Sequence, residues 1–239
     1  MGTTSFSVSA KQELALAGHC FAATVSSLTC TCSSTVNMTA LSGAGISGLA
    51  VGMAVTGTNA GAGGVIAAFV SQTALTLSVA SSGALTAPTF TGDVFKMLLI
   101  KASPSGTYTG TQTNVGTPGT AAASVTNVGT DETSGTGYTT GGFTLTNIQP
   151  ATGSTAGYWS FTTNPNWTTA TFSTTGANIY NTSVRLGAAA NGITANASGS
   201  AINRCISYHD FGGTQTVTAG TFTVLLPTNA QGTSILQIS

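Results

Sequence analysis

The residues able to do chemistry in this chain are few and scattered. His209 and Asp210 are adjacent, as in a general-base pair, but the stretch around them alternates like a strand. Neighbours on a strand point to opposite faces, so the two side chains cannot bond side by side. Asp131 and Glu132 are adjacent carboxylates. A glycosidase pair needs a fixed separation across a cleft, and no other carboxylates cluster near them in sequence, so a solvated loop or a calcium contact is the simpler reading. His19, Cys20, Cys30 and Cys32 superficially suggest zinc, yet paired C-x-x-C knuckles are missing, and Cys30 and Cys32 alternate on a strand-like run, TLTCTCSS. Buried, reduced thiols are expected over metal, with a disulfide formed after cell lysis ranked between the two. No serine sits in a G-x-S-x-G elbow, and no glycine run is followed by the Lys-Ser/Thr of a phosphate loop. The expectation is a protein that is not an enzyme, with no catalytic residue, cofactor or metal.

Aromatic and modification signals are equally sparse. Trp159 and Trp167 flank Asn164-Pro165-Asn166, with Tyr158 adjoining. They could stack on sugar rings, but ordinary core is the favoured role, because such side chains carry large apolar area inward. Asn37, Asn166, Asn181 and Asn196 head formal glycosylation triplets, which arise by chance in a Thr- and Ser-rich chain.

Composition narrows the class further. Only 4% of the 239 residues are charged, and five basic residues offset five acidic ones; an ordinary soluble domain carries roughly 25%. Such a surface favours association, as does the mean hydropathy of +0.30. Five scattered cations (Lys11, Lys96, Lys101, Arg185 and Arg204) cannot form a patch for nucleic-acid phosphates. The most apolar region, Gly48–Val70, is interrupted by Thr56-Gly57-Thr58-Asn59, too early for a membrane helix. No secretion signal is expected, since nothing basic precedes Lys11 and Glu13 breaks the apolar segment after it. Four cysteines, Cys205 being the fourth, are too few for a disulfide scaffold.

The elements that must position these residues are mostly strands. Ser5–Phe21 holds the best helix signal, with Ser9 as cap and Gly18 as stop. Ala22–Gly92 is a series of short apolar runs, TVNMTAL, GLAVGMAVTG, GGVIAAFVS, TALTLSVAS and APTFTG, separated by Gly, Asn and Ser. That recurrence predicts an inserted small all-β domain, residues 22–92, rather than a linker; Val36–Thr39 could alternatively extend a sheet of the main domain. Asp93–Ala102 reads as a central strand, with Phe95, Met97 and Leu99 on one face and Leu98 and Ile100 on the other. Ser103–Thr133, rich in Gly, Thr and Ser, reads as a long exposed arm. Strands are expected within Gly137–Asn147, Gly157–Phe161, Trp167–Thr174 and Ala177–Leu186, then a loop, Gly187–Ala201. Asn203–Pro227 reads as a hairpin, its tip bounded by the turn signals Gly212-Gly213 and Ala219-Gly220. The expected architecture is mainly β: an antiparallel sandwich or open barrel formed by residues 1–21 and 93–239, with one short N-terminal helix and the insert.

Two segments carry a resemblance. "ISYHDFGG", "QTV" and "GTFTV" near the C-terminus, with "ETSGTGYTTGGFTLTN" (Glu132–Asn147) upstream, are similar to a family of small β-rich virion proteins of tailed bacteriophages. The resemblance implies a structural component of the particle, made in the host cytoplasm and carried on the virion exterior. It implies a capsid decoration or cement protein, a homotrimer that binds the major capsid protein or, in a tail location, tail proteins. The alternative is a tail fibre or adhesin component that binds a host-surface receptor or glycan. A cement protein with so little charge would hold its neighbours by apolar burial and backbone pairing. Candidate assembly contacts are Ser103, Tyr108, Val115, Pro118 and Val125 on the arm, and Gly213, Thr214, Val217 and Gly220 at the hairpin tip.

Overall fold

The computed structural model describes residues 4–15, 18–119, 128–183 and 203–238. In chain order the elements are β1 (Thr4–Phe6), α1 (Val8–Ala15), β2 (Thr29–Thr31), β3 (Asn37–Ser42), β4 (Ala54–Thr58), β5 (Ile66–Ser71), β6 (Ala74–Leu77), β7 (Thr86–Thr91), β8 (Phe95–Lys101), β9 (Phe143–Thr144), β10 (Ala151–Thr152), β11 (Gly157–Trp159), β12 (Asn166–Asn181), β13 (Arg204–Thr223) and β14 (Leu236–Ile238). Every strand pairing is antiparallel. The protein is mainly β with one short helix, the class its composition and alternation called for.

The chain divides into two compact units. The first comprises Met1–His19, Val94–Thr146 and Thr162–Leu226, and the second Cys20–Asp93, Asn147–Phe161 and Pro227–Ser239. The expected insert lies within the second unit. That unit also takes in two later segments which sequence pattern placed in the main domain.

In the first unit a five-stranded sheet runs β1-β13-β12-β8-β9. β8 sits inside it because both its faces are apolar: Phe95, Met97, Leu99, Leu98 and Ile100 are all fully buried. Leu98 and Ile100 pack with Tyr180, Cys205, Tyr108, Val115 and Val128. α1 is shorter than expected. Ser5 and Phe6 pair with Tyr208 and Ser207 as strand β1, so the helix begins only after Ser7, and Ser9 lies inside it. Gly18 does act near the stop, donating its N–H to the Glu13 carbonyl at 2.6 Å.

The expected C-terminal hairpin is corrected. β13 is one strand of 20 residues, paired along its length with β12, a strand of 16. The two turn signals are bulges. Four residues, Phe211–Thr214, oppose Thr175 alone between the pairs Thr174↔Gln215 and Gly176↔Asp210, with Gly212 and Gly213 at φ 74° and 145°. Ala219, at φ 48°, lies in a second register shift. Glycine punctuates a strand by bulging it as readily as by turning it. The separate strands expected at Trp167–Thr174 and Ala177–Leu186 are likewise joined in β12 as far as Asn181, and residues 184–186 lie outside the described ones.

In the second unit the expected runs become β3, β4, β5, β6 and β7. They form a four-stranded sheet, β2-β3-β6-β5, and a two-stranded one, β4-β7. β3 pairs with β2 and β6 rather than with a main-domain strand. Leu28, Met38, Met53, Ile66, Leu75 and Phe90 make its core. A third sheet, β10-β11-β14, belongs to the same unit, beside a stack of Phe21, Trp159 and Phe161 with centroids 4.2 and 4.4 Å apart.

Candidate functional site

The adjacent carboxylates are not solvated. Asp131 is fully buried and Glu132 nearly so, because a single 3-10 turn, Gly129–Asp131, sets them below the surface of the first unit. Asp131 accepts from Ser105 Oγ (2.8 Å), Gly106 N (2.8 Å) and Tyr108 Oη (2.6 Å), and lies 2.8 Å from Lys101 Nζ. Burial pushes its carboxyl up, but the Lys101 ammonium and these donors outweigh that and hold it well below the ordinary range. Glu132 Oε1 accepts from Tyr138 Oη (2.8 Å) and Gly141 N (2.6 Å), while its Oε2 has no hydrogen-bond partner among the described residues. Burial therefore dominates and raises Glu132, against Tyr138, Gly141 and Lys96. The three tyrosines around the pair, Tyr108, Tyr138 and Tyr180, are all pushed up by burial. Asp131, with every oxygen engaged, is a clasp that ties the loop after β8 to the sheet. It presents nothing to a substrate.

A second buried cluster joins α1 to the sheet. Glu13 Oε2 is 2.7 Å from His19 Nε2 and 3.7 Å from Arg204 Nη1, and Arg204 Nη2 donates to the Gly18 carbonyl at 2.6 Å. His19 Nδ1 lies 2.9 Å from Asn181 Nδ2. Since Asn181 Oδ1 already accepts from Ser183 N, its amide donates to His19. The imidazole proton therefore lies on Nε2, toward Glu13. Both nitrogens of His19 are engaged within the unit, which leaves none for zinc. Cys205, fully buried, is raised well above the ordinary thiol range by burial and by the Glu13 charge, so it is an inert core thiol. All four cysteines are free. His209 Nε2 meets Ser207 Oγ at 2.8 Å, two residues along the same strand, rather than Asp210, and Asp210 Oδ1 accepts from Gly212 N inside the bulge.

The candidate assembly contacts divide. Tyr108 and Val115, expected on an exposed arm, are buried on Leu98 and Ile100. The arm folds down because Val115 N bonds the Asn203 carbonyl, Cys205 N the Thr113 carbonyl, and Asp131 holds Ser105 and Tyr108. Ser103 is exposed and Pro118 half-buried. Gly213 and Thr214 are exposed, and Val217 and Gly220 half-buried, on a strand rather than at a hairpin tip. Val125, Arg185, Asn196 and the loop Gly187–Ala201 lie outside the described residues. Trp159 and Trp167 are 2% and 5% exposed, so neither offers a face to a sugar. Asn181, heading a glycosylation triplet, is fully buried.

From Asn166 to Thr174, where β12 pairs with Gln215–Thr223, the β12–β13 pair has two unlike faces. Trp167 and Phe172 are buried against Tyr138 and Phe222, while Thr168, Thr169, Thr171, Thr216 and Thr218 are exposed. Sequence reasoning missed this ribbon because four register shifts interrupt the pairing along it. No protein-family model, curated protein or solved structure matches the chain.

Proposed function

We propose that this protein is a non-enzymatic structural component of a tailed-phage particle, and that it decorates the capsid as a cement. One observation carries the reading most directly. The second unit contains a single Asp, Glu, Lys, Arg or His side chain, Asp93, and Asp93 is buried, accepting from Cys20 N at 2.9 Å. A surface of this size without charge suits lasting contact with other protein better than free solution. Support also comes from the phage-like segments at 132–147 and 203–227, and from the internal use of Asp131, Glu132, Glu13 and His19. Contacts to the capsid protein would use apolar burial and backbone pairing, through Ser103, Pro118, Gly213, Thr214, Val217 and Gly220 among the described residues.

Quantifying the protein on purified virions tests the class. Hundreds of copies are expected; a few to a few dozen would place it in a tail fibre. Purified protein should bind undecorated capsids in molar salt, because few ion pairs exist to screen. Release at a few hundred millimolar salt would overturn the cement mechanism, and glycan hydrolysis by the purified protein would overturn the non-enzymatic reading.

A further inference from the structure

The outer edge of the four-stranded sheet in the second unit is open. β5 is the terminal strand, bonded on one side to β6. On its other side only its beginning is covered: Ile66 N bonds the Met53 carbonyl, and the Ile66 carbonyl accepts from Gly52 N. From Ala67 to Ser71 no further backbone partner occurs among the described residues, and all five residues are exposed. Phe69 is 46% and Val70 69% exposed. Phe69 and Ser71 line an open groove of about 640 Å³ with Ile46 and Leu49. Edge strands of natural proteins are ordinarily guarded by a lysine, a proline, a strong twist or a covering loop. The segment Ala67–Ser71 has neither of the first two, and among the described residues no segment pairs with its outer side.

We infer that the β5 edge pairs antiparallel with the β5 edge of a second copy of this chain, each Phe69 seating against the Ile46–Leu49 groove of the other. Charge decides the occupant. A partner bearing ions would desolvate them against a unit that has no exposed charge to receive them. A second copy brings only apolar and hydroxyl groups to the same seam. The contact is also self-complementary: an antiparallel strand pair has a two-fold axis, the commonest symmetry of protein pairs. With that axis near Phe69, the small residues Ala67 and Ala68 oppose Ser71 and Val70, and the rings meet as a cross-strand aromatic pair. This seam closes a pair; the homotrimer that the phage resemblance implies would need a separate three-fold contact. The inference stands independently of the virion reading.

Sedimentation of the full chain from 1 to about 100 μM tests it. A reversible dimer is expected, with a dissociation constant raised at least tenfold by Phe69→Lys, which opposes like charges across the axis. Thr168→Lys, on an exposed position of the first unit, should leave the constant unchanged. Should Phe69→Lys fail to fold by circular dichroism, Phe69→Cys with a short bis-thiol cross-linker provides the second readout. A 69–69 link between chains, absent from wild type and from Thr168→Cys, supports the seam. A monomer at the highest concentration, a dimer indifferent to Phe69→Lys, or a Phe69→Cys chain that yields no interchain link would each overturn it.

Discussion

Asp131 and Glu132 show how far one peptide bond can separate two identical functional groups. Asp131 is surrounded by donors and Glu132 keeps one oxygen without a hydrogen bond among the described residues, so their carboxyls shift in opposite directions. Asp131→Ala would leave Ser105, Gly106 and Tyr108 without an acceptor. A loss of about 3 kcal/mol in urea denaturation is expected, most of it from these donors, because Lys101 keeps about a third of its side chain in water and its ion pair is screened. With a folded pKa below the unfolded value near 3.9, the Asp131 contribution is complete above about pH 5 and is lost as pH falls below that value. Glu132 has the opposite sign: its contribution is present below its unfolded pKa and fades as pH rises through the raised folded one. Glu132→Gln should therefore be at least as stable as wild type at pH 8, and a clear loss there would show that the charge is used. His209 adds a third window. Burial lowers its pKa to about 4 from the ordinary 6.5, so stability present above pH 6.5 is lost as pH falls toward 4. Denaturation midpoints between pH 7 and 4 should fall less steeply in His209→Gln.

The long β12–β13 ribbon depends on different residues for its two faces and for its bends. Phe172→Ala should cost about 3–5 kcal/mol, since Tyr138, Trp167 and Phe222 would lose a shared aromatic neighbour. Thr168→Val, on the exposed face, should stay within about 0.5 kcal/mol. Gly213→Ala isolates the conformational term: φ is 145° and a Cβ would meet nothing within 4 Å, so a loss of about 1 kcal/mol would be backbone strain alone. Thermal denaturation of the three variants checks the ranking, and a neutral Gly213→Ala would show that the bulge is relaxed.

The two units are woven from five exchanges of one chain, and their boundaries show what can be cut. Asp93 N bonds the Cys20 carbonyl at 2.8 Å, and Thr162 N bonds the Thr146 carbonyl at 3.0 Å, so the first two excursions into the second unit each leave and return at neighbouring points. Deleting residues 23–91 alone would remove nearly all of the core of the second unit and leave the Phe21, Trp159 and Phe161 stack as an apolar remnant. That deletion should bind a hydrophobic dye and aggregate. A chain that also replaces 148–160 with a short glycine linker and ends at Leu226 should keep β circular dichroism and a cooperative melt. A dye-free, soluble product from the first deletion would show that 147–161 and 227–239 do not depend on the rest of their unit.

What the sequence determined is local and periodic. Val, Ile, Leu and Phe recurring between Gly and Ser in Ala22–Gly92 specified five strands, and apolar residues on both faces, broken only by Lys96 before the closing Lys101, made β8 an inner strand, because alternation and burial are written residue by residue. Near-absence of charge was likewise plain from composition. Tertiary structure alone decided whether Gly212-Gly213 turned the chain or bulged it, since both need positive φ and only the partner strand chooses. It also decided that the Gly/Thr-rich stretch after β8 folds onto the core. Its apolar anchors, Tyr108, Val115 and Val128, follow no period, and Asp131, which bonds Tyr108, takes its hydroxyl and amide donors from 23 to 26 residues away. Membership of 147–161 in the second unit rests on contacts that no pattern announces, Phe21 on Trp159 and Asn147 Nδ2 on the Ala22 carbonyl, and 227–239 joins through β14 on β11, whose three residues carry too little pattern to be read before their partner is known.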